Sequence, residues 1–345
     1  MEQYMLEWET DLASKCPKVT VLMSVYNGEQ YLREAIESIL KQSYKNFELL
    51  IINDASTDTS RSIIQSYSDP RIRLIDNEVN LGLTVSLNKG IALSQGEYIA
   101  RMDSDDISLD ERLEKQVQFM KEHSDIGVCG SWVETFGVRH EIWQYPIEHN
   151  EITSRLLFYN SLAHSTVIFR RNLLCKLGLC YNEEYRYSQD YELWIRCSGV
   201  VRLANIPEPL VKYRLSENQI GRKHNDAQIH FADRARKLLL SQLGVELTDE
   251  FYEIHKNICN RKFPVSLVTL KRTQKWLRIL SIKSFSVGSE TVHVRTLVDV
   301  WFSCCINAIG TRWLALWGFL TLGLSEQKRA TFYKRSIQLL LNCIR

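Results

Sequence analysis

"VTVLMSVYNGEQYLREAIESILKQSYKNFELLIIND" occupies positions 19–54 and sets the expected architecture. Its first nine residues are apolar and β-branched almost without interruption, the pattern of a strand covered on both faces. The turn residues Gly28 and Glu29 follow. Then Tyr31, Leu32, Ala35, Ile36, Ile39 and Leu40 recur at helical spacing. "FELLIIND" (47–54) repeats the buried-strand pattern. Strand, helix and second buried strand in this order predict a parallel pair joined by a right-handed crossover.

The same alternation continues outward. A helix is expected over 57–67, a strand at "IRLIDN" (72–77), a helix over Leu83–Leu93 and a strand at "GEYIARMD" (96–103). The next helix carries Leu109, Leu113, Val117 and Met120 on one face. Ligands of such sheets bind beyond the carboxyl ends of the strands. Asn27, Asp54, Asn77 and Asp103 fall at those ends, so four polar groups converge on one edge. The second half is less regular. "HSTVIFRR" (164–171) reads as a strand, 187–197 as a short helix, and "VRLANIPEPLVKYRL" (201–215) as extended chain with a Pro-marked bend. Helical patterns resume near Asn225, which puts a soft boundary at 220–245.

Composition fits a globular protein with a sizeable core: 345 residues, 45% hydrophobic and 24% charged, with no low-complexity tract. The first 18 residues are acidic and lack an apolar h-region, so they do not read as a secretory signal. Nine cysteines without a C-x-x-C pair favour reduced thiols over a disulfide framework or a zinc site. The eight histidines show no metal-ligand spacing. A net charge of +2 hides an asymmetry, because residues 261–345 hold 14 Lys/Arg against 3 Asp/Glu. A basic tail on an acidic body reads as a surface-binding element.

"ARMDSDDIS" (100–108) places three carboxylates within four residues. Ser108 with Glu111 fits a capping box for a helix beginning at Leu109. The three aspartates exceed that need, and they sit at the carboxyl end of a central strand. Carboxylate oxygens without thiols or paired histidines suit Mg²⁺ or Mn²⁺. Asp54 fits an Asx-turn, and it equally fits an acceptor for ribose hydroxyls or the N3–H of uracil. A dinucleotide-binding fold requires G-x-G-x-x-G in the first turn, where this chain has "YNGEQY" with a single glycine, Gly28. In "YRYSQDYELWIRC" (185–197), Tyr191, Leu193, Trp194 and Cys197 form an apolar side, and Asp190 lies in the first turn. Asp190 there is either a helix N-terminal acid or a general base separate from the metal cluster.

Taken together, residues 19–60, "NLGLTVSLNKGI", "GEYIARMDSDD" and "SQDYELWIRC" resemble the family 2 glycosyltransferases in order and spacing, over roughly 17–220. The resemblance implies an α/β GT-A fold: a Rossmann-like, mostly parallel sheet flanked by helices, here with a helical C-terminal region. The domains then follow. An extension over 1–16 precedes a GT-A domain over 17–240, with a nucleotide-binding half at about 17–125 and an acceptor half at about 126–240. A basic helical region spans 241–345. The resemblance gives Val25 and Tyr26 contact with the nucleotide base and makes Asp54 a base ligand, typically for uracil. Asn80 lies near the nucleotide, Asp103 and Asp105 are the D-x-D metal ligands, and Asp106 holds the donor sugar or the metal. Asp190 is the general base.

Two positions depart from the family pattern. Gln189 stands where the family often has Glu, and Leu87 precedes Asn88 where many members carry an arginine that contacts diphosphate. Arg101 or Lys89 is expected to supply that charge. His164 either lines the acceptor pocket or is a satisfied, half-buried histidine. The implied enzyme is an inverting glycosyltransferase. It moves a sugar from a UDP-sugar to an acceptor hydroxyl in cell-surface polysaccharide or O-antigen-type synthesis, with Mn²⁺ or Mg²⁺. Two alternatives are a nucleotidyltransferase of similar fold and an inactive relative that acts as a membrane assembly partner. The lack of a Gly-rich, basic first loop weighs against the former, and joint retention of Asp103, Asp105 and Asp190 against the latter.

"WFSCCINAIGTRWLALWGFLTLGL" (301–324) is apolar and Trp-rich, but Asn307 and Arg312 interrupt it short of a membrane span. It continues into a basic amphipathic stripe of Phe332, Tyr333, Ile337, Leu340, Leu341 and Ile344. Packing on the protein's own body fits this pattern as well as an interface with lipid does. The charge balance favours the membrane, where polyprenyl-diphosphate-linked acceptors reside. The expected location is cytoplasmic, peripheral on the inner face of the plasma membrane. No nucleic-acid recognition motif is present.

Overall fold

The computed structural model describes residues 18–216, 225–262, 266–283 and 290–306. The N-terminal extension and the Trp-rich and amphipathic segments from 307 onward lie outside the described residues. The chain forms two compact units, 1–148 with 161–231 and 149–160 with 232–345. The second unit therefore takes in residues 149–160 as well as the chain beyond the expected boundary.

The first unit alternates as its apolar runs dictate: β1 (Val19–Val25), α1 (Leu32–Leu40), β2 (Phe47–Asn53), α2 (Ser60–Gln65), β3 (Ile72–Asp76), α3 (Leu83–Leu93) and β4 (Tyr98–Asp103). Then come β5 (Ile107–Ser108), α4 (Arg112–Glu122), β6 (Ile126–Gly137) and β7 (Ile142–Trp143). After α5 (His149–Leu156), which belongs to the second unit, a 3₁₀ turn (His164–Thr166) leads into β8 (Ile168–Arg170). The rest is α6 (Arg171–Leu177), α7 (Gln189–Ser198) and β9 (Arg202–Leu215).

These strands make one sheet in the order β3-β2-β1-β4-β8-β6-β9-β5, with β7 paired to β6. β3, β2, β1 and β4 run parallel, while β8 joins β4 and β6 antiparallel. All seven residues of β2 are buried, which explains its lack of alternation. α3 approaches the sheet at Gly90, where a Cβ would stand 2.2 Å from Leu22 Cδ1. Both neighbours of β1 start new excursions, β2 toward one edge and β4 toward the other. The crevice at that reversal opens at the carboxyl ends of β1 and β4, where Asn27 and Asp103 sit.

The expected capping box at Ser108 is not what forms. Ser108 pairs with Val211 in the β5–β9 ladder, and α4 begins only at Arg112. Gln42 does the capping from a distance: its Oε1 accepts from the Leu113 N–H at 3.0 Å, and its Nε2 donates to Leu109 O at 2.7 Å. α2 is shorter than its pattern because Asn27 and Glu29 engage the backbone N–H groups of Thr57 and Thr59. The stretch expected as a strand over 164–171 keeps only three strand residues.

The second unit is helical: α5, the C-terminal part of α8 (Asn225–Gln242), α9 (Asp249–Cys259), α10 (Leu267–Ser281) and α11 (Glu290–Ile306). His255 is fully buried there. Its Nε2 donates to Leu157 O at 2.9 Å, and its Nδ1 accepts from Trp276 Nε1 at 3.2 Å. Burial pushes this imidazole down to about 3. Among the described residues, no helix is long and apolar enough to cross a membrane, and no disulfide forms.

Candidate active site

The loops leaving β1 and β2 fasten to each other by hydrogen bonds in place of glycines. Asn27 N–H donates to Ser56 Oγ (3.0 Å), Gly28 N–H to Ser60 Oγ (2.9 Å) and Glu29 N–H to Asp58 Oδ2 (3.0 Å). Asn27 Oδ1 accepts from Thr57 N–H (2.8 Å), and Glu29 Oε2 accepts from Thr59 N–H (2.9 Å). Asn27 and Ala55 hold φ of 51° and 57°, and Ser188, just before α7, holds 53°. Left-handed backbone at non-glycine residues concentrates where a fold constrains a site.

Asp54 forms the floor beside β1 and is 2% exposed. Its Oδ1 accepts from Asn77 Nδ2 (2.7 Å) and Leu81 N–H (2.9 Å), and its Oδ2 accepts from Gly82 N–H (2.8 Å). It therefore builds the turn into α3, a task its sequence context did not announce. Asn80 lies exposed in that turn. Lys89 donates to Asn77 Oδ1 at 2.6 Å, so its ammonium is committed to the loop. Tyr26 is exposed above the floor, whereas Val25 is fully buried in the core. Val25 thus offers a ligand no surface, which corrects its expected contact with a base.

The aspartates at the end of β4 differ in environment. Their carboxylate oxygens lie within 4.8 Å of one another. Asp103 is partly exposed and ion-paired with Nη2 of Arg101. Asp105 is pushed up to about 6 by burial and by the Asp103 charge. Asp106 is fully buried, and burial with the two neighbouring charges raises it well above the usual carboxylate range. Such oxygens repel one another until a cation joins them. Three hard carboxylate oxygens gathered this closely fit a cation of the Mg²⁺ or Mn²⁺ class.

Two arginines lie beneath the cluster. Arg101 is 2% exposed, and its Nε and Nη1 have no partner among the described residues. Arg112 is fully buried, with Nη2 donating to Arg101 O at 2.7 Å. Burial and the neighbouring Arg101 charge push it down to about 9. Two cationic donors of Arg101 are thus desolvated and enclosed beside the carboxylates, with no partner among the described residues.

Asp190 is half-buried in the first turn of α7. Burial pushes the nearby Tyr181 hydroxyl up, and the charges of Asp190 and Asp103 act on it in the same sense. Asn88 fixes that tyrosine. Asn88 Oδ1 accepts from Tyr181 N–H, and Asn88 Nδ2 donates to Tyr181 O, both at 2.9 Å. His164 Nε2 meets the Tyr181 hydroxyl at 2.7 Å, with burial and Arg101 holding the imidazole well below its usual range. His164 is thus half-buried with a hydrogen-bond partner, as one of the two sequence-based alternatives expected. Gln189 is buried, and the acid at Glu192 is spent on Arg196 at 2.8 Å.

With this geometry in place, relatives can be compared. A profile described as "Glycosyl transferase family 2" matches residues 20–175. An uncharacterized glycosyltransferase of Haemophilus influenzae is 37% identical over 249 residues, covering 67% of this chain and 77% of the relative. The chain is a family 2 glycosyltransferase. Another member is WfgD of Escherichia coli, a UDP-Glc:alpha-D-GlcNAc-diphosphoundecaprenol beta-1,3-glucosyltransferase. It is 29% identical over 205 residues, 59% of this chain and 79% of its own. The structure of S. aureus TarS 1-349 in complex with UDP-GlcNAc superposes with a TM-score of 0.57 at 18% identity, covering 93% of this chain and 89% of TarS. That likeness supports the GT-A fold.

In this glycosyltransferase, sequence reasoning missed Tyr181, Arg112 and the two-sided clamp of Asn88. Tyr181 and Arg112 sit among ordinary helix and loop residues with no local signature. Asn88 had one signal, its place directly after Leu87, where the family pattern carries an arginine.

Proposed function

We propose that this glycosyltransferase is an inverting, metal-dependent enzyme that uses a UDP-sugar to extend a lipid-linked cell-surface glycan. The observation that carries this reading is the Asp103, Asp105 and Asp106 cluster at the carboxyl end of β4, whose carboxylate oxygens lie within 4.8 Å of one another. Asp103 and Asp105 would hold Mn²⁺ or Mg²⁺, which when bound neutralises charge on the diphosphate. Arg101, paired with Asp103, sets a positive charge behind the same diphosphate. Tyr26 covers the base, and Asn80 lies near the nucleotide. Asp54 Oδ2 keeps one lone pair beyond its bond to Gly82 and accepts the uracil N3–H there. Asp106 supports the cluster from beneath.

Asp190 takes the proton from the acceptor hydroxyl as that oxygen bonds to C1 of the sugar. The C1–O bond to the diphosphate breaks, its electron pair leaves with UDP, and a single displacement inverts the anomeric centre. Holding both substrates in one crevice supplies much of the remaining rate. The UDP donor and the diphosphoundecaprenol acceptor in the name of WfgD support these substrate classes. Peripheral attachment to the cytoplasmic membrane face, through the basic region beyond 260, would bring such an acceptor within reach.

The test is nucleoside diphosphate release from a panel of nucleotide sugars with Mn²⁺, with and without polyprenyl-diphosphate-linked sugars. Turnover with a UDP-sugar that is lost in Asp190→Asn supports the reading. Absence of turnover with every donor overturns it, and diphosphate release from nucleoside triphosphates would favour a nucleotidyltransferase.

A further inference from the structure

β9 ends beside the aspartate cluster in an unusual way. Its ladder with β5 pairs Lys212 with Ile107 and Val211 with Ser108. Continuing that register sets Arg214 opposite Asp105, yet side chains take over the hydrogen bonds there. The Arg214 backbone N–H donates to Asp106 Oδ1 at 2.9 Å, and Arg214 Nε donates to the Asp105 carbonyl at 2.8 Å. Its guanidinium lies 4.0 Å from the ring centre of Tyr31 and 4.3 Å from that of Phe136. Nη2 pairs with Glu34. The Arg214 side chain is only 13% exposed.

We infer that Arg214 is a positioning residue that sets the affinity of the D-S-D-D turn for a divalent cation. Its backbone holds Asp106 in place, while Nε orients the peptide between Asp105 and Asp106. That peptide determines where the Asp105 carboxylate points. The two rings and Glu34 hold the guanidinium plane, so the orientation is built before a ligand arrives. Arginine suits this task because a planar fork can stack and donate at once, which a lysine ammonium cannot do. Partners one step behind a metal ligand commonly change metal affinity by about 10–100-fold. The inference rests on reading Asp103 and Asp105 as the metal ligands.

The experiment titrates Mn²⁺ into the full chain and follows loss of the free-ion electron paramagnetic signal. Arg214→Lys keeps the charge and the backbone donor but loses Nε and the stacking plane. Glu34→Gln removes only the ion pair and provides a variant with milder risk to folding. Arg139→Lys, at an exposed pair with Glu141, is the control. Expected is a Mn²⁺ dissociation constant raised about tenfold or more in Arg214→Lys, a smaller rise in Glu34→Gln and none in Arg139→Lys. Metal-free affinity for UDP should stay within twofold in all three. Mn²⁺ affinity within twofold of wild type in Arg214→Lys overturns the inference. So does a loss that tracks the melting temperature across the variants, which marks a merely structural role. A wild-type protein that binds no Mn²⁺ overturns instead the metal reading on which it rests.

Discussion

Arg101 reaches Asp103 with Nη2 and leaves Nε and Nη1 without partners among the described residues, although the side chain is almost wholly buried. A positive charge about 8 Å from a diphosphate is worth on the order of 2 kcal/mol at an effective dielectric of ~20. Arg101→Ala should therefore weaken UDP binding by about 10–100-fold, read by titration calorimetry. Unchanged affinity would remove Arg101 from the diphosphate site and leave the charge absent at Leu87 unreplaced.

Asp105 pulls stability and function in opposite directions. Burial and the Asp103 charge raise its carboxyl to about 6, so at pH 7 the folded apo protein bears the cost of ionising it. Asp105→Asn should stabilise the metal-free protein by about 1–2 kcal/mol and abolish the thermal upshift that Mn²⁺ gives the wild type. Melting curves with and without Mn²⁺ check both effects. An upshift that survives in the variant would take Asp105 out of the metal site.

Ala55 carries a φ of 57°, a conformation that costs an L-residue about 1–2 kcal/mol. Ala55→Gly removes that cost, partly offset by the greater freedom of glycine in the unfolded chain. The expected gain is about 0.5–1 kcal/mol in urea unfolding, with the Asn27 and Thr57 contacts retained. Destabilisation would mean that the left-handed turn carries no strain.

His255 predicts a pH dependence. Its imidazole is neutral and held near 3 in the folded state by burial, against about 6.5 when unfolded. As pH falls below about 6.5 the unfolded chain takes up the proton first, so stability drops by up to ~1.4 kcal/mol per unit. His255→Gln keeps a donor for Leu157 and an acceptor for Trp276, and its stability should change less between pH 7 and 5. Equal slopes for variant and wild type would show that His255 does not titrate in this way.

The sequence by itself determined the alternation of buried strands and helices, because strands covered on both faces leave unbroken apolar runs such as "FELLIIN". It also placed Asn27, Asp54, Asn77 and Asp103 on one edge, since strand direction decides which ends meet the crevice. Tertiary structure decided the rest. Ser108 looked like a helix cap until a glutamine 66 positions away took that role, and no local pattern encodes such a partner. Val25 reads like its neighbour Tyr26 along the chain, but Val25 ends the buried strand β1 while Tyr26 opens the exposed loop after it. The environment of Arg101, the Asn88 hold on Tyr181 and the Arg214 clamp all join residues from distant segments. Hydrophobic periodicity records which face of an element is buried. The pairing of polar groups across elements depends on distances that exist only once the chain is folded.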